Sequence, residues 1–331
     1  MQAIVVSNTE SLRTQYFIKA GQDLGIDTAF VSYDDLLLNP SKYQDKLIKL
    51  EPPEHEEFEI ARYNVLNAEY KELLSFIAEN EETRKLNFLN RPEAILRTLD
   101  KLNTKILLSR LSQTPMLNFE SDNLNDLIKL MDETSHHAVF IKPRFGSGAG
   151  GIIALRKKPG DNKLVAYTSI IEKSGKMFNT NRLNRLSNKN EIEILVNFIL
   201  QSGVLFEEWI SKEKFQEQPF DLRVVCQFGK VKYIVVRCGK VAITNLHLNN
   251  NAISFDKLQL SKNCTKKIVK MCIETNKILE LTYSGIDILI AKGTETPYII
   301  EVNGQGDHIY QDIFEENSIY KEQLFYGGRK S

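Results

Sequence analysis

The sequence predicts a mixed α/β (α+β) protein, with a small α/β unit at the N-terminus and a larger strand-rich unit after it. Three observations predict this. A strand–helix–strand pattern fills residues 3–33, the texture changes to short strands and turns from Ala138, and a long helix at Ser261 to Leu281 runs into two apolar strands. At 331 residues the chain is long enough for a large core, and the expectation is two domains or one multi-lobed unit.

Residues 3–7 read as a buried strand, Ser11 to Leu24 as a helix with the stripe Leu12, Tyr16, Phe17, Ala20 and Leu24, and Thr28 to Tyr33 as a second strand. Strand–helix–strand at this length implies a parallel pair joined by a crossover. The first turn, Ser7-Asn8-Thr9-Glu10-Ser11, has no GxGxxG, so a dinucleotide fingerprint is rejected. Residues 50–90 are acidic and helix-prone, with Pro52-Pro53 as punctuation, and Glu54-His55-Glu56-Glu57 reads as a solvated helix start. Asn90-Arg91-Pro92 marks a boundary. A helix is expected over Ala94 to Leu111, then a short strand-like stretch, then a helix with Leu124, Leu127, Ile128 and Met131 on its apolar side. His136-His137, adjacent and without a carboxylate partner, reads as a surface turn. Strands follow at Ala138–Lys142, Gly151–Arg156 and Leu164–Thr168, and a helix at Asn190–Leu200 leads to a strand at Val204–Ile210. Leu222–Phe228 and Val231–Arg237 read as strands of a hairpin turning at Gly229-Lys230. No internal repeat or low-complexity segment interrupts the chain.

Composition narrows the function. With 42% hydrophobic and 26% charged residues the chain is neither disordered nor a coiled coil. Lys plus Arg and Asp plus Glu each number 43, so no basic excess points to nucleic acid. Cys226, Cys238, Cys264 and Cys272 have no CxxC pairing and read as buried, reduced thiols of a cytoplasmic protein. The N-terminus lacks the basic and apolar regions of a signal peptide, and no apolar run approaches the ~20 residues a membrane span needs.

The most informative segment is Tyr298-Ile299-Ile300-Glu301-Val302-Asn303-Gly304. Alternation along a strand puts Glu301 and Asn303 on one face, where both reach the same ion. Asp287, in Ser284-Gly285-Ile286-Asp287-Ile288, is a third oxygen donor, brought alongside if the two strands pair about the turn at 292–297. Hard oxygen ligands suit Mg²⁺, which takes its remaining ligands from water and substrate phosphates. Upstream, Val139-Phe140-Ile141-Lys142-Pro143-Arg144-Phe145-Gly146-Ser147-Gly148-Ala149-Gly150-Gly151 delivers Lys142 to a loop with glycine at four of six positions. Glycines there let backbone N–H groups close on phosphate oxygens, and the lysine supplies a point charge. The bland alternative is a flexible hairpin tip. Because the lysine precedes the glycines, this is not a Walker A loop. Val204-Leu205-Phe206-Glu207-Glu208-Trp209-Ile210 ends a strand that offers backbone to an adenine edge, or is a strand end only. Phe220-Asp221-Leu222-Arg223 places Asp221 and Arg223 on one face, with Arg237 and Asn245-Leu246-His247 after it. The arginines would be a buried ion pair or would suit charge developing on a phosphoryl group. Lys101, in Leu99-Asp100-Lys101-Leu102, means nothing alone.

Taken in order, Lys101, Lys142 with its glycine loop, the Glu-Glu-Trp-Ile hinge, Asp-x-Arg, Asp287 and Glu-x-Asn resemble the ATP-grasp superfamily, with the RimK-like branch the nearest in texture. Uncharacterised bacterial ATP-grasp proteins share the Lys-Pro-Arg-Phe-Gly-Ser-Gly and Phe-Asp-Leu-Arg-Val-Val segments. The resemblance covers about residues 92–310 and implies an ATP-grasp fold at 93–331, with a lid subdomain at about 136–206 and a C-terminal subdomain at about 207–331. Residues 1–92 would form the small Rossmann-like α/β domain that precedes it, with a helical insert. By the same resemblance Lys101, Lys142 and the loop Gly146, Ser147, Gly148, Ala149 and Gly150 would hold ATP phosphates. Glu207 and Glu208 would meet the adenine amino group and ribose region, Trp209 and Ile210 would offer backbone to the ring, and Asp221 would touch the nucleotide. Arg223, Arg237 and Asn245 would act on the phosphates, and Asp287, Glu301 and Asn303 would hold one or two Mg²⁺, with Mn²⁺ as an alternative.

The implied chemistry is ATP-dependent phosphorylation of a carboxylate to an acyl phosphate, then attack by an amine, giving an amide or peptide bond. Small-molecule or peptide carboxylates and amines would be the partners, with no nucleic acid and no membrane, and a homodimer is compatible. Two departures bear on the acceptor. Asn303-Gly304-Gln305-Gly306-Asp307-His308 replaces the small residues and proline of peptide-forming relatives, and Asn245-Leu246-His247-Leu248-Asn249-Asn250 lacks the glycine pair expected of the RimK-like branch. The first either binds a different acceptor or is a polar turn; the second argues against a ribosomal-protein tail. A peptide-maturing cyclase, a kinase and a non-catalytic nucleotide-binding module are the alternatives.

Overall fold

The computed structural model describes residues 2–54, 58–111, 114–146, 150–161, 163–239, 251–305 and 316–328. The N-terminal pattern folds as it reads: β1 (Gln2–Ser7) pairs in parallel with β2 (Asp27–Ser32) across helix α1 (Leu12–Leu24). Ser11 caps α1 through a reciprocal box with Thr14, and Gly25 ends it at φ 66°, a left-handed turn that glycine takes without strain. After the short α2 (Tyr33–Leu38), β3 (Lys46–Leu50) pairs with β1 and β4 (Asn87–Phe88) with β3, giving a parallel sheet ordered β2-β1-β3-β4. β3 escapes a reading by alternation because it is buried along nearly its whole length, as parallel strands are.

The acidic stretch contains a twenty-residue helix, α3 (Ile60–Glu79), that belongs to two cores. Tyr70, Leu74 and Ile77 pack into the N-terminal core, whereas Ile60 belongs to the core of the second sheet, where the start of the helix meets the strand at Lys176–Leu186. The helix expected over 94–111 is two helices, α4 (Pro92–Leu99) and α5 (Lys101–Leu107), because Asp100 leaves helical geometry and caps the second through the Asn103 N–H.

The second sheet is antiparallel, with order β5 (Met116–Leu117), β10 (Val204–Glu208), β6 (Ala138–Pro143), β7 (Ile153–Lys157), β8 (Leu164–Lys173), β9 (Lys176–Leu186). Helices α6 (Leu124–Glu133) and α7 (Lys189–Leu200) cover one face. The third sheet runs β14 (Asn251–Ser254), β13 (Lys230–Cys238), β12 (Gln218–Gln227), β15 (Tyr283–Ala291), β16 (Thr296–Asn303), with the short β11 (Lys214–Phe215) paired to β12. The β12–β13 turn centres on Phe228-Gly229, both at positive φ (50° and 72°), one residue earlier than the sequence suggests. Helix α8 (Lys262–Leu279), capped by Ser261, covers the apolar face of this sheet. Helix α9 (Ser318–Gly327) returns against α1.

The first and third sheets are joined by buried polar contacts. Lys49 on β3 pairs with Glu51 at 2.8 Å and donates to the Tyr283 hydroxyl at 2.9 Å. Asn90 donates to the carbonyls of Tyr283 and Gly304 and accepts from the Thr282 N–H.

Candidate active site

The third sheet is amphipathic across its strands. Leu222, Val224, Val236, Ile286 and Ile288 enter the core under α8, so Asp221, Arg223, Arg237 and Asp287 stand on the opposite face. Register turns this face into a lattice: Asp221 lies opposite Arg237, Arg223 opposite Asp287, and Asp287 opposite Glu301. Strict alternation along β16 would put Glu301 on the same side as the core residue Ile299. An irregularity between Asp287 and Ile288 in the β15–β16 ladder leaves Ile300 as an extra residue, and both Ile299 and Val302 enter the core. The bulge therefore carries Glu301 and Asn303 to the polar face beside Asp287.

The ion pairs follow the lattice. Arg223 Nε is 3.0 Å from Asp287 Oδ1, Arg237 Nη2 is 3.3 Å from the same oxygen, and Arg237 Nε donates to Asp221 Oδ1 at 2.6 Å. Lys212, just past the hinge, donates to Asp221 Oδ2 at 3.0 Å. Gly285 makes room for Arg223: a Cβ there would stand 2.9 Å from Nη1. Although ion-paired, the buried Asp287 Oδ1 and the Nε and Nη1 of Arg223 complete no hydrogen bond among the described residues.

The second sheet faces this one with its own polar side. Lys142 on β6 pairs with Glu207 on β10, and Lys105 of α5 reaches Glu207 Oε1 at 2.9 Å and the Ile299 carbonyl at 2.8 Å. Lys101, one turn before Lys105, pairs with Glu301 at 3.5 Å and donates to the Gly146 carbonyl. Phe140, Tyr167 and Trp209 form an aromatic patch capped by Arg156, whose guanidinium carbon is 4.5 Å from the Trp209 ring centroid. By register Phe140, Ala154, Arg156 and Tyr167 share the face that carries Lys142.

Electrostatics sort the carboxylates. Burial pushes the Asp287 carboxyl above its ordinary range against the pull of Arg223 and Arg237, and Glu301 beside it adds to the rise. Burial acts the same way on Glu301, but Lys101, Lys142 and Arg223 outweigh it and hold Glu301 low. Glu207 is also held low, its burial overcome by Lys105 and Lys142. Burial lowers Lys105 and Lys212 despite their carboxylate partners.

The expected residues thus largely converge. Lys101, Lys142, Glu207, Asp221, Arg223, Arg237, Asp287 and Glu301 face one cleft, with Asn303 beside them opposite Gly285. Gly146 begins the glycine loop at φ 106° against Tyr63 of α3, and Gly150 resumes beyond it. Ser147, Gly148, Ala149 and Asn245 lie outside the described residues, as do His55, residues 246–250, Gly306, Asp307 and His308. Three details were not expected from the sequence. Glu207 is buried between two lysines, while Glu208 is exposed on the other side of the strand. The N–H groups of Trp209 and Ile210 bond to the carbonyls of Ala138 and Glu208, at 3.0 Å each. Lys105 and Lys212 are members that the sequence did not single out. The only signal for Lys105 is its i, i+4 spacing from Lys101.

Among the described residues no group of three or more His, Cys, Asp or Glu could hold a metal. The available set is two carboxylates in register and one amide, oxygen donors throughout, with an Asp287 oxygen short of a hydrogen bond. That set fits Mg²⁺, which needs few protein ligands.

Lysines and arginines gathered between two antiparallel sheets, with carboxylates at the end of one and a glycine-edged lysine strand in the other, are the arrangement of an ATP-grasp protein. Residues 97–326 match the YheC/D-like ATP-grasp family, and the chain belongs to it. No curated protein matches the chain in sequence. Solved structures share its fold. A RiPP-associated ATP-grasp ligase from Chryseobacterium gregarium, in complex with ADP and a leader and core peptide, is similar at TM-score 0.62 and 15% identity, over 100% of this chain and 98% of that one. The D-cycloserine synthetase DcsG is similar at TM-score 0.64 and 12% identity over 100% of both chains. The D-alanine–D-alanine ligase from Bacillus anthracis complexed with ATP is similar at TM-score 0.56 and 13% identity, over 100% of this chain and 97% of that one. No helix among the described residues is long and apolar enough to cross a membrane.

Proposed function

We propose that this protein is an ATP-dependent carboxylate–amine ligase that works through an acyl phosphate. The observation that carries the reading is the convergence of Lys101 and Lys142 on Glu301, which stands in register with Asp287. ATP lies with its phosphates between Lys101, Lys142 and the loop that opens at Gly146, and its base lies toward the strand end at 207–210. A substrate carboxylate attacks the terminal phosphorus, and ADP leaves. An amine then attacks the acyl carbon, loses a proton, and expels phosphate to leave an amide. Arg223 and Arg237 steady charge on the transferred group, which in this chemistry is mainly a matter of position and electrostatics. Asp287, Glu301 and Asn303 would hold Mg²⁺, one ion or two, which when bound neutralises charge across the phosphates. The loop at 146–151 would cover the acyl phosphate against water.

The finer assignments are part of the same reading. The domain limits are 1–92 and 93–331, with a lid at about 136–206; the lineage is RimK-like in motif texture; the setting is cytoplasmic; a homodimer is the assembly to test first. The similarity to a ligase solved with leader and core peptide, and to a macrocyclase solved with its precursor peptide, favours a peptide substrate as the second reading. The test is ADP release from purified protein with Mg²⁺, ATP, mixed amino acids and cell extract. Release that requires both a carboxylate and an amine supports the ligase. Release needing only an acceptor identifies a kinase, and ATP binding with no release under any mixture overturns the enzymatic reading.

A further inference from the structure

The grouping of Lys105, Glu207 and Lys142 is unbalanced in a way the mechanism above does not use. One carboxylate, 1% exposed, lies between two ammonium groups delivered by different elements, α5 and β6. Lys105 is 2% exposed and is fixed at a second point by the Ile299 carbonyl, at the bulge that aims Glu301. Lys142 is held differently. Its ammonium reaches Glu207 and faces the Phe140 ring at 5.4 Å, and its charge is felt by Glu301 across the cleft.

We propose that Lys105 is a positioning residue that keeps Glu207 neutralised, so that Lys142 can leave Glu207 for the phosphates of ATP. The inference rests on the ligase reading only in taking ATP as the ligand of Lys142. A carboxylate paired to a single lysine in a dry site holds that lysine strongly, since separating them strands a charge. With Lys105 also on Glu207, the departure of Lys142 leaves a complete pair behind. The second positive charge is then available to an anion, and Glu207 acts as a parking place rather than a trap. Lys105 touches neither nucleotide nor metal in this scheme; it acts through Glu207.

The experiment compares ATP affinity in Lys105→Met, Glu207→Gln and the double variant, each checked for cooperative thermal unfolding. Trp209, the single tryptophan, lies beside Phe140 and serves as the fluorescent reporter. Lys105→Met should bind ATP at least about tenfold more weakly than wild type, because Lys142 is now locked to an uncompensated Glu207. Adding Glu207→Gln should recover most of that loss, since it removes the lock. A double variant as weak as Lys105→Met, or weaker, overturns the proposal and leaves Lys105 a packing residue. Should Lys105→Met fail to unfold cooperatively, Lys105→Gln with and without Glu207→Gln makes the same comparison with a smaller change in shape. Wild-type protein that binds no ATP in this titration refutes the reading of the site itself, a result distinct from either outcome of the rescue.

Discussion

Two buried charge clusters in this molecule look alike and are built to opposite ends. At the junction of the first and third sheets, Lys49 and Glu51 are wholly buried, Arg13 adds a cation 3.8 Å from Glu51, and Glu54 pairs with Arg13. Two cations meet two carboxylates, with the Tyr283 hydroxyl beside Lys49. In the cleft, Lys105 and Lys142 share Glu207 alone. The first cluster is balanced in charge, although neither Glu51 carboxylate oxygen completes a hydrogen bond among the described residues. The unbalanced one holds an excess positive charge that Glu301 also feels, and that the proposal above assigns to the phosphates of ATP. On that proposal, the count of partners rather than burial separates structural from functional charge.

The comparison breaks most sharply at Glu301. Glu301→Ala should lower ATP turnover about 10²–10³-fold while thermal stability changes little, measured as ADP release and by unfolding; intact turnover with every candidate substrate would remove the metal face from the mechanism. Lys49→Met is the converse. It strands the Glu51 charge and should cost about 3–5 kcal/mol in urea unfolding, with ATP affinity unchanged within about twofold. Replacing Lys49 and Glu51 together by apolar residues should recover much of that stability. Gly285→Ala tests the lattice at an intermediate level: the new Cβ would stand 2.9 Å from Arg223 Nη1, so the guanidinium must shift. A loss of about 1–3 kcal/mol, with turnover reduced more than ATP affinity, is expected.

The smallest effect is in pH. Glu207 is held below its ordinary value of 4.5 in the fold, so the folded state binds this proton less readily than the unfolded chain. Its contribution to stability is complete above that value and is lost as pH falls through the lower folded value. Wild-type stability should therefore fall with acidification below about pH 4.5, and Glu207→Gln should flatten that slope in urea midpoints measured across the range. An unchanged slope would mean that the two lysines do not hold Glu207 ionised.

Legibility in the sequence followed the range of the signal. Asp287, Glu301 and Asn303 were readable because period-2 alternation and a short turn are local, and Lys142 because glycines beside it are local. The bulge at Ile300 was not, since an apolar run gives no mark of which residue goes unpaired, yet it decides the face on which Glu301 stands. Lys105 was invisible for a related reason. A helical lysine is ordinarily solvated, and only the docking of α5 between two sheets buries this one. β9 was missed because its residues are polar, and Asp100 was passed over as a break because its apolar neighbours continue the helical period on either side.

Helix α3 has a mechanical consequence. Its first residue, Ile60, is anchored beneath the sheet that carries Lys142, Asn64 donates to Ser202 just before β10, and its later turns are rooted in the N-terminal core. A rod clamped at both ends does not let its clamps swing independently. Any parting of the two jaws of the cleft must pull Ile60 from its socket, bend the rod, or tow the N-terminal module along.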